Sequence, residues 1–181
     1  ASRDKLVELK GRANLVTVAD RESEELIVRR IRARYPNHGI LAEESGLLVA
    51  PTGTSADRWI IDPLDGTTNY AHQFPMYSVS IAFEQCGEVL CGAVYDPVRD
   101  EMFTASRGGG AFMNGDPIAV SDMSSLSDGL LLTGFPYDFR EKVDWALGLF
   151  RSFLIESQAV RRAGSAALDL CYIAAGRCDG F

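Results

Sequence analysis

Apolar residues recur at helical spacing in the first well-patterned segment of the chain. Ile27, Ile31 and Tyr35 follow one another every four residues, and arginine and glutamate side chains occupy the other side of the same segment. This amphipathic period predicts a helix over Thr17–Tyr35. Pro36 ends it, because proline has no backbone N–H with which to continue a helix.

Two short apolar runs are each followed at once by acidic residues. Ile40–Ala42 leads into Glu43, and Trp59–Ile61 leads into Asp62. Continuous apolar runs of this length are typical of buried strands, and ligand sites often lie where such strands end. We therefore expect the two strands to bring their acidic ends to one site.

The middle and the end of the chain predict a mixed fold. Ser78–Glu84, Glu88–Tyr95 and Glu101–Ala105 are strand-like runs separated by turns, which predicts a meandering antiparallel sheet. A strand over Gly129–Thr133 and helices over Tyr137–Glu156 and Gly164–Ala175 follow. The fold class expected is α+β, with mixed, largely antiparallel sheets between helices and no internal repeat.

Charge is concentrated in one part of this chain of 181 residues, whose net charge is −7. Residues 36–98 hold eight acids and one base, Arg58, so this third carries the whole imbalance. An acidic chain without a Lys/Arg-rich stretch is not expected to bind nucleic acid, and no apolar run is long enough to cross a membrane. The four cysteines lack zinc-ligand spacing, so we expect reduced thiols in a cytoplasmic protein.

The most informative segment is the strand-to-helix junction around Asp62 and Asp65. Pro63 interrupts the backbone ladder between them, and Gly66 can open a helix directly after them, so two carboxylates, the Leu64 carbonyl and free helix N–H groups come together. Either aspartate alone is more readily explained by an Asx turn or a helix cap. Further acids nearby, at Glu43 and Glu44, favour a cation site, because clustered carboxylates repel one another unless a cation neutralises them.

Three segments together resemble a known family. Ala42-Glu43-Glu44-Ser45, Trp59-Ile60-Ile61-Asp62-Pro63-Leu64-Asp65-Gly66-Thr67-Thr68-Asn69-Tyr70 and Gly164-Ser165-Ala166-Ala167 are similar to signatures of the inositol monophosphatase family, in the lithium-sensitive, magnesium-dependent phosphatase superfamily. The similarity extends from about Lys10 to Phe181. It implies a layered αβαβα sandwich, with a metal- and phosphate-binding α+β portion over residues 1–125 and the start of a C-terminal α/β portion over 126–181.

The resemblance implies a role for each matching residue. Metal ligands for two Mg²⁺ ions would be Glu43, Asp62, the Leu64 carbonyl and Asp65, with Glu44 behind them. Asp20 and Thr67 would position and deprotonate the attacking water, with Glu43 assisting. Gly66 and Thr67 would bind the phosphate through backbone N–H groups, and the rest of the substrate would contact Asp65, Gly164, Ser165 and Ala166.

Some of these assignments have structural alternatives. Thr17-x-x-Asp20 is also a capping box for the first helix. Gly164-Ser165-Ala166 is equally a helix N-cap followed by small packing residues. Lys10-Gly11-Arg12 resembles a loop near a third, weaker metal site, and is as readily an exposed basic loop.

The function implied is a cytoplasmic, homodimeric Mg²⁺-dependent phosphomonoesterase that acts on myo-inositol monophosphates. Fructose-1,6-bisphosphatase or another phosphate monoester phosphatase of the superfamily is the alternative, and a non-catalytic metal-binding module is a second one. The family pattern continues after Phe181 with a glutamate and a Trp-Asp-x-Ala-Ala-Gly segment, whose aspartate completes the second metal site. We therefore expect either a fragment or part of a longer polypeptide, with low activity for residues 1–181 alone, and a native start that lies upstream of Ala1 or has been removed.

Overall fold

The computed structural model describes residues 7–9, 15–48, 56–135 and 139–181. The strands are β1 Val7–Leu9, β2 Leu15–Thr17, β3 Gly39–Ala42, β4 Gly46–Leu48, β5 Asp57–Asp65, β6 Ser78–Gln85, β7 Glu88–Asp96, β8 Glu101–Ser106, β9 Gly110–Met113, β10 Asp116–Pro117, β11 Leu130–Leu132 and β12 Ala159–Arg161. The helices are α1 Val18–Arg34, α2 Thr67–Ala71, α3 Val143–Glu156 and α4 Ala166–Ala174.

Eight strands form the main sheet, in the order β10-β9-β8-β7-β6-β5-β3-β4. The run from β5 to β10 is an antiparallel meander, as the turn-separated strands predicted. β3 instead pairs parallel to β5, with Ala42 opposite Ile61. The carboxyl ends of these two strands therefore lie side by side, and the acidic residues that follow each of them meet there.

The β5 strand continues past the point where the sequence predicts its end. Asp62 pairs with Ser80 and Asp65 with Ser78, so the ladder skips Pro63 and Leu64 and resumes at Asp65. Proline cannot donate to a ladder, and an extra residue on one strand makes a bulge that bends it. The bulge keeps both aspartates on one strand and turns the Leu64 carbonyl out of the regular pairing.

Two apolar clusters hold the helices against the main sheet. Ile31 of α1 packs on the buried residues Ile40, Ala42 and Ile61. In the second cluster, Leu168 of α4 packs with Met76 and Phe103. Both helices thereby carry their N-terminal ends toward the junction of β5 and α2, which the site geometry below depends on.

The C-terminal elements form a small parallel pair, β11 with β12, together with α3. The predicted helix over Tyr137–Glu156 begins later than expected, at Val143, because a separate 3-10 turn covers Phe139–Glu141 and Lys142 has a non-helical backbone. Tyr137 lies outside the described residues. The four cysteines are free thiols, and none of the helices in the described part of the chain is long and apolar enough to span a membrane.

Candidate active site

A cavity of about 120 Å³ opens at the carboxyl ends of β3 and β5. It brings together seven of the residues that the sequence predicts for the site: Glu43, Asp62, Leu64, Asp65, Gly66, Thr67 and Gly164. Thr68, Asn69 and Arg162 also line it and were not predicted. Four of the predicted site residues lie outside the lining: Asp20, Glu44, Ser165 and Ala166. The first three contact or adjoin residues that form it. Ala166 is the first residue of α4.

The carboxylates in this cavity repel one another. The pKa of Asp62 is raised to about 8, chiefly by burial and then by the charges of Glu43 and Asp65. A hydrogen bond with Glu43 holds the proton, while the Leu64 N–H donates to Asp62 Oδ1 at 3.1 Å and opposes the shift. A proton thus lies between the carboxylates of Glu43 and Asp62. A cation can take the same position in its place.

The donor set fits Mg²⁺ only if backbone and water oxygens complete it. Within the described ranges, no three His, Cys, Asp or Glu side chains are grouped to hold a metal ion by themselves. Glu43 and Asp62 share a proton, Asp65 is close enough to raise the pKa of Asp62, and the bulge presents the Leu64 carbonyl beside them. Mg²⁺ prefers hard oxygen ligands and keeps several waters, so one or two carboxylates and a carbonyl suit it.

Asp20 forms the contacts that both interpretations of the sequence require, because it caps α1 and also contacts Thr67. Its Oδ2 accepts the Thr17 N–H at 2.8 Å and the Thr17 hydroxyl, which completes the predicted capping box. Its Oδ1 accepts the Thr67 hydroxyl at 2.9 Å. Asp20 is only 1% exposed, so the cap fixes a buried carboxylate against a hydroxyl that lines the cavity.

The Thr67 hydroxyl is shared between two acceptors. It lies 3.0 Å from the Leu64 carbonyl as well as 2.9 Å from Asp20. A hydroxyl has one hydrogen and two lone pairs, so donating to either acceptor leaves it free to accept a hydrogen bond from a water. Thr67 can therefore pass a proton between a water in the cavity and Asp20.

Asp65 ties the site to the N-terminus of α4. Its Oδ2 accepts the Ser165 hydroxyl at 2.6 Å and the Ala167 N–H at 2.7 Å. Ser165 also caps α4 by accepting the Leu168 N–H, and its hydroxyl lies 3.3 Å from that of Ser78. The predicted N-cap is thus confirmed for Ser165, and the cap orients Asp65 at the same time.

Two glycines allow the two loops of the site to touch. Gly66 has φ +97°, and a Cβ there would stand 2.9 Å from the Met76 carbonyl and 3.1 Å from the Gly164 carbonyl. Asn69 bridges the same contact, because its Nδ2 donates to the carbonyls of Met76 at 2.7 Å and Ala163 at 2.8 Å. The loop before α4 is thereby held against α2.

Sequence reasoning missed Glu24, which supports the loop that carries Glu43. Glu24 is 3% exposed, and its carboxylate accepts the Glu44 N–H at 2.8 Å and the Ser45 hydroxyl. One signal was available: Glu24 lies three residues before Ile27 and seven before Ile31, so an acid occupies the apolar stripe of α1. An acid buried on an apolar face has a partner that the helix itself does not supply. Lys10–Arg12 lie outside the described residues.

Comparisons with known proteins show what this chain is similar to. A sequence profile described as the inositol monophosphatase family matches residues 1–181. An inositol-1-monophosphatase of Mesorhizobium japonicum is 44% identical over 97% of this chain and 65% of its own length. A protein named Nus factor SuhB from Pseudomonas aeruginosa is 47% identical over 95% of this chain and 64% of its own.

The fold matches solved structures as well. The inositol monophosphatase of Anabaena (Nostoc) sp. PCC 7120 superposes with a TM-score of 0.83 and 50% identity, over 89% of this chain and 63% of that one. The mixed, mostly antiparallel sheet with helices is therefore that of an α+β sandwich of this kind. The chain spans slightly under two thirds of the length of the relatives just described.

Proposed function

Because this chain belongs to the inositol monophosphatase family, we propose that it is a Mg²⁺-dependent phosphomonoesterase that hydrolyses myo-inositol monophosphates to inositol and phosphate. The observation that carries the proposal is the cavity in which Glu43, Asp62 and Asp65 converge beside the Asp20–Thr67 pair. These carboxylates lie close enough together to resist being ionised at the same time, as the pKa of about 8 at Asp62 indicates. A divalent cation removes that conflict and leaves room for an anionic substrate.

Glu43, Asp62, the Leu64 carbonyl and Asp65 would hold two Mg²⁺ ions, and the Lys10–Arg12 segment would lie near a third, weaker metal site. When bound, Mg²⁺ lowers the pKa of water and neutralises charge on phosphoryl oxygens. Glu44 would act only through the loop that positions Glu43, since Glu24 holds its backbone N–H.

Asp20 and Thr67 would remove the proton of the attacking water. The water donates to Thr67 Oγ1 while the Thr67 hydroxyl donates to Asp20 Oδ1, so one proton moves along this pair as the water oxygen attacks phosphorus. The bond between phosphorus and the inositol oxygen breaks, that oxygen takes a proton from solvent, and Asp20 then returns its proton to solvent. Glu43 would assist as a neighbouring base.

The backbone N–H groups of Gly66 and Thr67 would bind the phosphate. They open α2, where the first N–H groups have no acceptor within the helix. The leaving inositol would contact Asp65 and the start of α4 at Gly164, Ser165 and Ala166. The link from Asp65 to Ser165 and Ala167 supports this placement, because it brings the α4 terminus to the cavity.

The organisation of the protein is proposed from the sheet topology, the family and the cysteines. Residues 1–125 would form the metal- and phosphate-binding portion, and 126–181 the start of a second one, since β10 ends the large sheet at Pro117 and β11 belongs to a separate one. A homodimer is proposed from family membership, and a cytoplasmic location from the four free thiols.

The test is phosphate release from inositol 1-phosphate, measured at high protein concentration with Mg²⁺ and with a chelator. We expect low turnover that requires Mg²⁺ and disappears on chelation. A substrate panel that includes fructose 1,6-bisphosphate separates the inositol phosphatase from the sugar bisphosphatase alternative. Turnover that is insensitive to chelation would overturn the metal assignment.

A non-catalytic role is the second candidate. It is favoured by relatives named Nus factor SuhB, which are as similar to this chain as those named phosphatase. This candidate predicts that calorimetry detects Mg²⁺ binding while no phosphate ester is hydrolysed. Hydrolysis of any ester in the panel at this cavity excludes a purely non-catalytic protein.

A further inference from the structure

A free guanidinium lies among the acidic residues of the cavity. Among the described residues that line it, Arg162 is the single base, and the same lining includes Glu43, Asp62 and Asp65. In the part of the chain that the structure describes, the Arg162 side chain forms no hydrogen bond or ion pair. Its five N–H donors are therefore available to a ligand.

Several other described arginines have partners. Arg161, the adjacent residue, donates from Nη1 to the Val160 carbonyl at 3.1 Å and does not line the cavity. Arginines on the main sheet and α4 pair with carboxylates, at Arg58–Glu84, Arg99–Asp96, Arg107–Glu88 and Arg177–Glu101. Arg162 is thus an arginine without a hydrogen-bonded partner that lines the acidic cavity.

A buried carboxylate attracts Arg162 without using its donors. Asp169 of α4 is 1% exposed, and its Oδ1 has no hydrogen-bond partner. Burial and the charge of Asp65 raise the pKa of Asp169 to about 6, and the charge of Arg162 acts in the opposite direction. The attraction between the two side chains acts through space and leaves the guanidinium N–H groups unbonded.

The loop that carries Arg162 is fixed at the cavity. Arg162 follows the last residue of β12 and precedes Ala163, whose carbonyl accepts the Asn69 side chain at 2.8 Å. Gly164, two residues on, packs against Gly66. Arg162 therefore reaches the cavity from the β12–α4 loop, whereas the N–H groups proposed for the phosphate belong to the β5–α2 turn.

Building on the proposed phosphomonoesterase activity, we propose that Arg162 is a specificity residue that extends the substrate range beyond inositol monophosphates, because it recognises a second anionic group, a carboxylate or a second phosphate, on the leaving alcohol. Guanidinium pairs with either group in a bidentate geometry. The acidic lining repels such a group, so an arginine beside it decides whether the substrate is accepted.

Two matched pairs of esters test this, each assayed for kcat/KM with Mg²⁺. Glycerol 2-phosphate and 2-phosphoglycerate differ by a carboxylate, and fructose 1-phosphate and fructose 1,6-bisphosphate differ by a phosphate. We expect Arg162→Gln to lower kcat/KM about tenfold more for the charged member of at least one pair. That pair identifies the anion, Arg162→Lys retains part of the preference, and the matched control Arg161→Gln leaves it unchanged.

Each other outcome overturns the inference in a distinguishable way. An equal loss on both members of both pairs places Arg162 on the transferred phosphate or in folding. Unchanged kinetics in Arg162→Gln remove it from recognition altogether. No turnover of any ester by the unsubstituted chain contradicts the proposed function itself, and the role of Arg162 falls with it.

Discussion

At the scale of single residues, a buried acid on the apolar stripe of α1 supports the loop that carries Glu43. Replacing Glu24 by Ala removes the acceptor of the Glu44 N–H and the Ser45 hydroxyl. We expect urea unfolding to show a loss of about 1–3 kcal/mol, because hydrogen bonds to a charged group contribute about 1.5–3 kcal/mol each and the donors on this partly exposed loop can turn to water. Glu24→Gln, which keeps one acceptor, should lose less.

The matched control for Glu24 is its neighbour Glu25, which is exposed on the same helix. Glu25→Ala should stay within about 0.5 kcal/mol of the unsubstituted chain. Equal effects at the two positions would show that Glu24 contributes only helix propensity, and that the β3–β4 turn is held by something else.

Gly66 is the residue at which backbone conformation and close approach coincide. Gly66→Ala places a Cβ 2.9 Å from the Met76 carbonyl at a φ of +97°. Gly46→Ala, where φ is +69° and nothing lies within 4 Å, measures the backbone strain alone. We expect denaturant unfolding to show that the free energy of unfolding falls by about 1 kcal/mol in Gly46→Ala and by about 3 kcal/mol or more in Gly66→Ala. Equal losses would show that the loops separate without penalty.

Residue identities in the site could be predicted where chemistry and local spacing coincide. Asp62, Leu64 and Asp65 are neighbours along one strand, so the sequence places them together without knowledge of the fold. Glu24 and Asn69 contribute through hydrogen bonds to residues 20 and 94 positions away in the sequence. Arg162 contributes by lining the cavity. Such contacts depend on how the loops pack, which no local pattern encodes.

At the scale of elements, the N-terminus of α4 is anchored by one hydroxyl. Ser165→Ala removes the cap of the Leu168 N–H and a hydrogen bond to Asp65. We expect a loss of about 1–3 kcal/mol in thermal or urea unfolding, from the cap and the buried carboxylate together. Ser152→Ala is the control, because its exposed hydroxyl only returns to the Gly148 carbonyl of α3. A loss no larger than that of Ser152→Ala would contradict the anchoring of α4 by Ser165.

Elements with a clear period were predicted, and those defined by pairing were not. The helix α1 and the strands β6, β7 and β8 match their predicted bounds closely. β4, β9, β10 and β12 are two to four residues long and exist because a neighbour pairs with them, so their sequences carry little signal. The resumption of β5 after Pro63 depends likewise on Ser78 of β6, the partner of Asp65.

At the scale of the whole molecule, the charge concentrated in residues 36–98 has a structural origin. Five of its eight acids fall between Glu43 and Asp65, and three of those five line one cavity. The parallel pairing of β3 with β5 is what joins them, since it aligns two acidic strand ends that are about twenty residues apart in sequence. Three of the eight acids therefore belong to the site, while Glu84, Glu88 and Asp96 pair with arginines elsewhere.

Stability should couple to pH and Mg²⁺ through this cavity. The pKa of Asp62 is raised from 3.8 to about 8, so the stabilising proton is fully present below about pH 4 and is lost as the pH rises through about 8. Mg²⁺ replaces that proton. We expect the increase in Tm at fixed Mg²⁺ to be larger at about pH 9 than at about pH 6. An increase that is constant or falls with pH would contradict a cation bound at Asp62.

The most direct test of the account is the rate of phosphate release from inositol 1-phosphate at saturating Mg²⁺, compared among the unsubstituted chain, Asp62→Asn and Asp57→Asn. Asp57 starts the same strand and bonds Gln85 away from the cavity, so it controls for loss of a carboxylate. The account predicts that Asp62→Asn lowers the rate about a hundredfold or more while Asp57→Asn retains it. A rate in Asp62→Asn equal to that of the unsubstituted chain would contradict it.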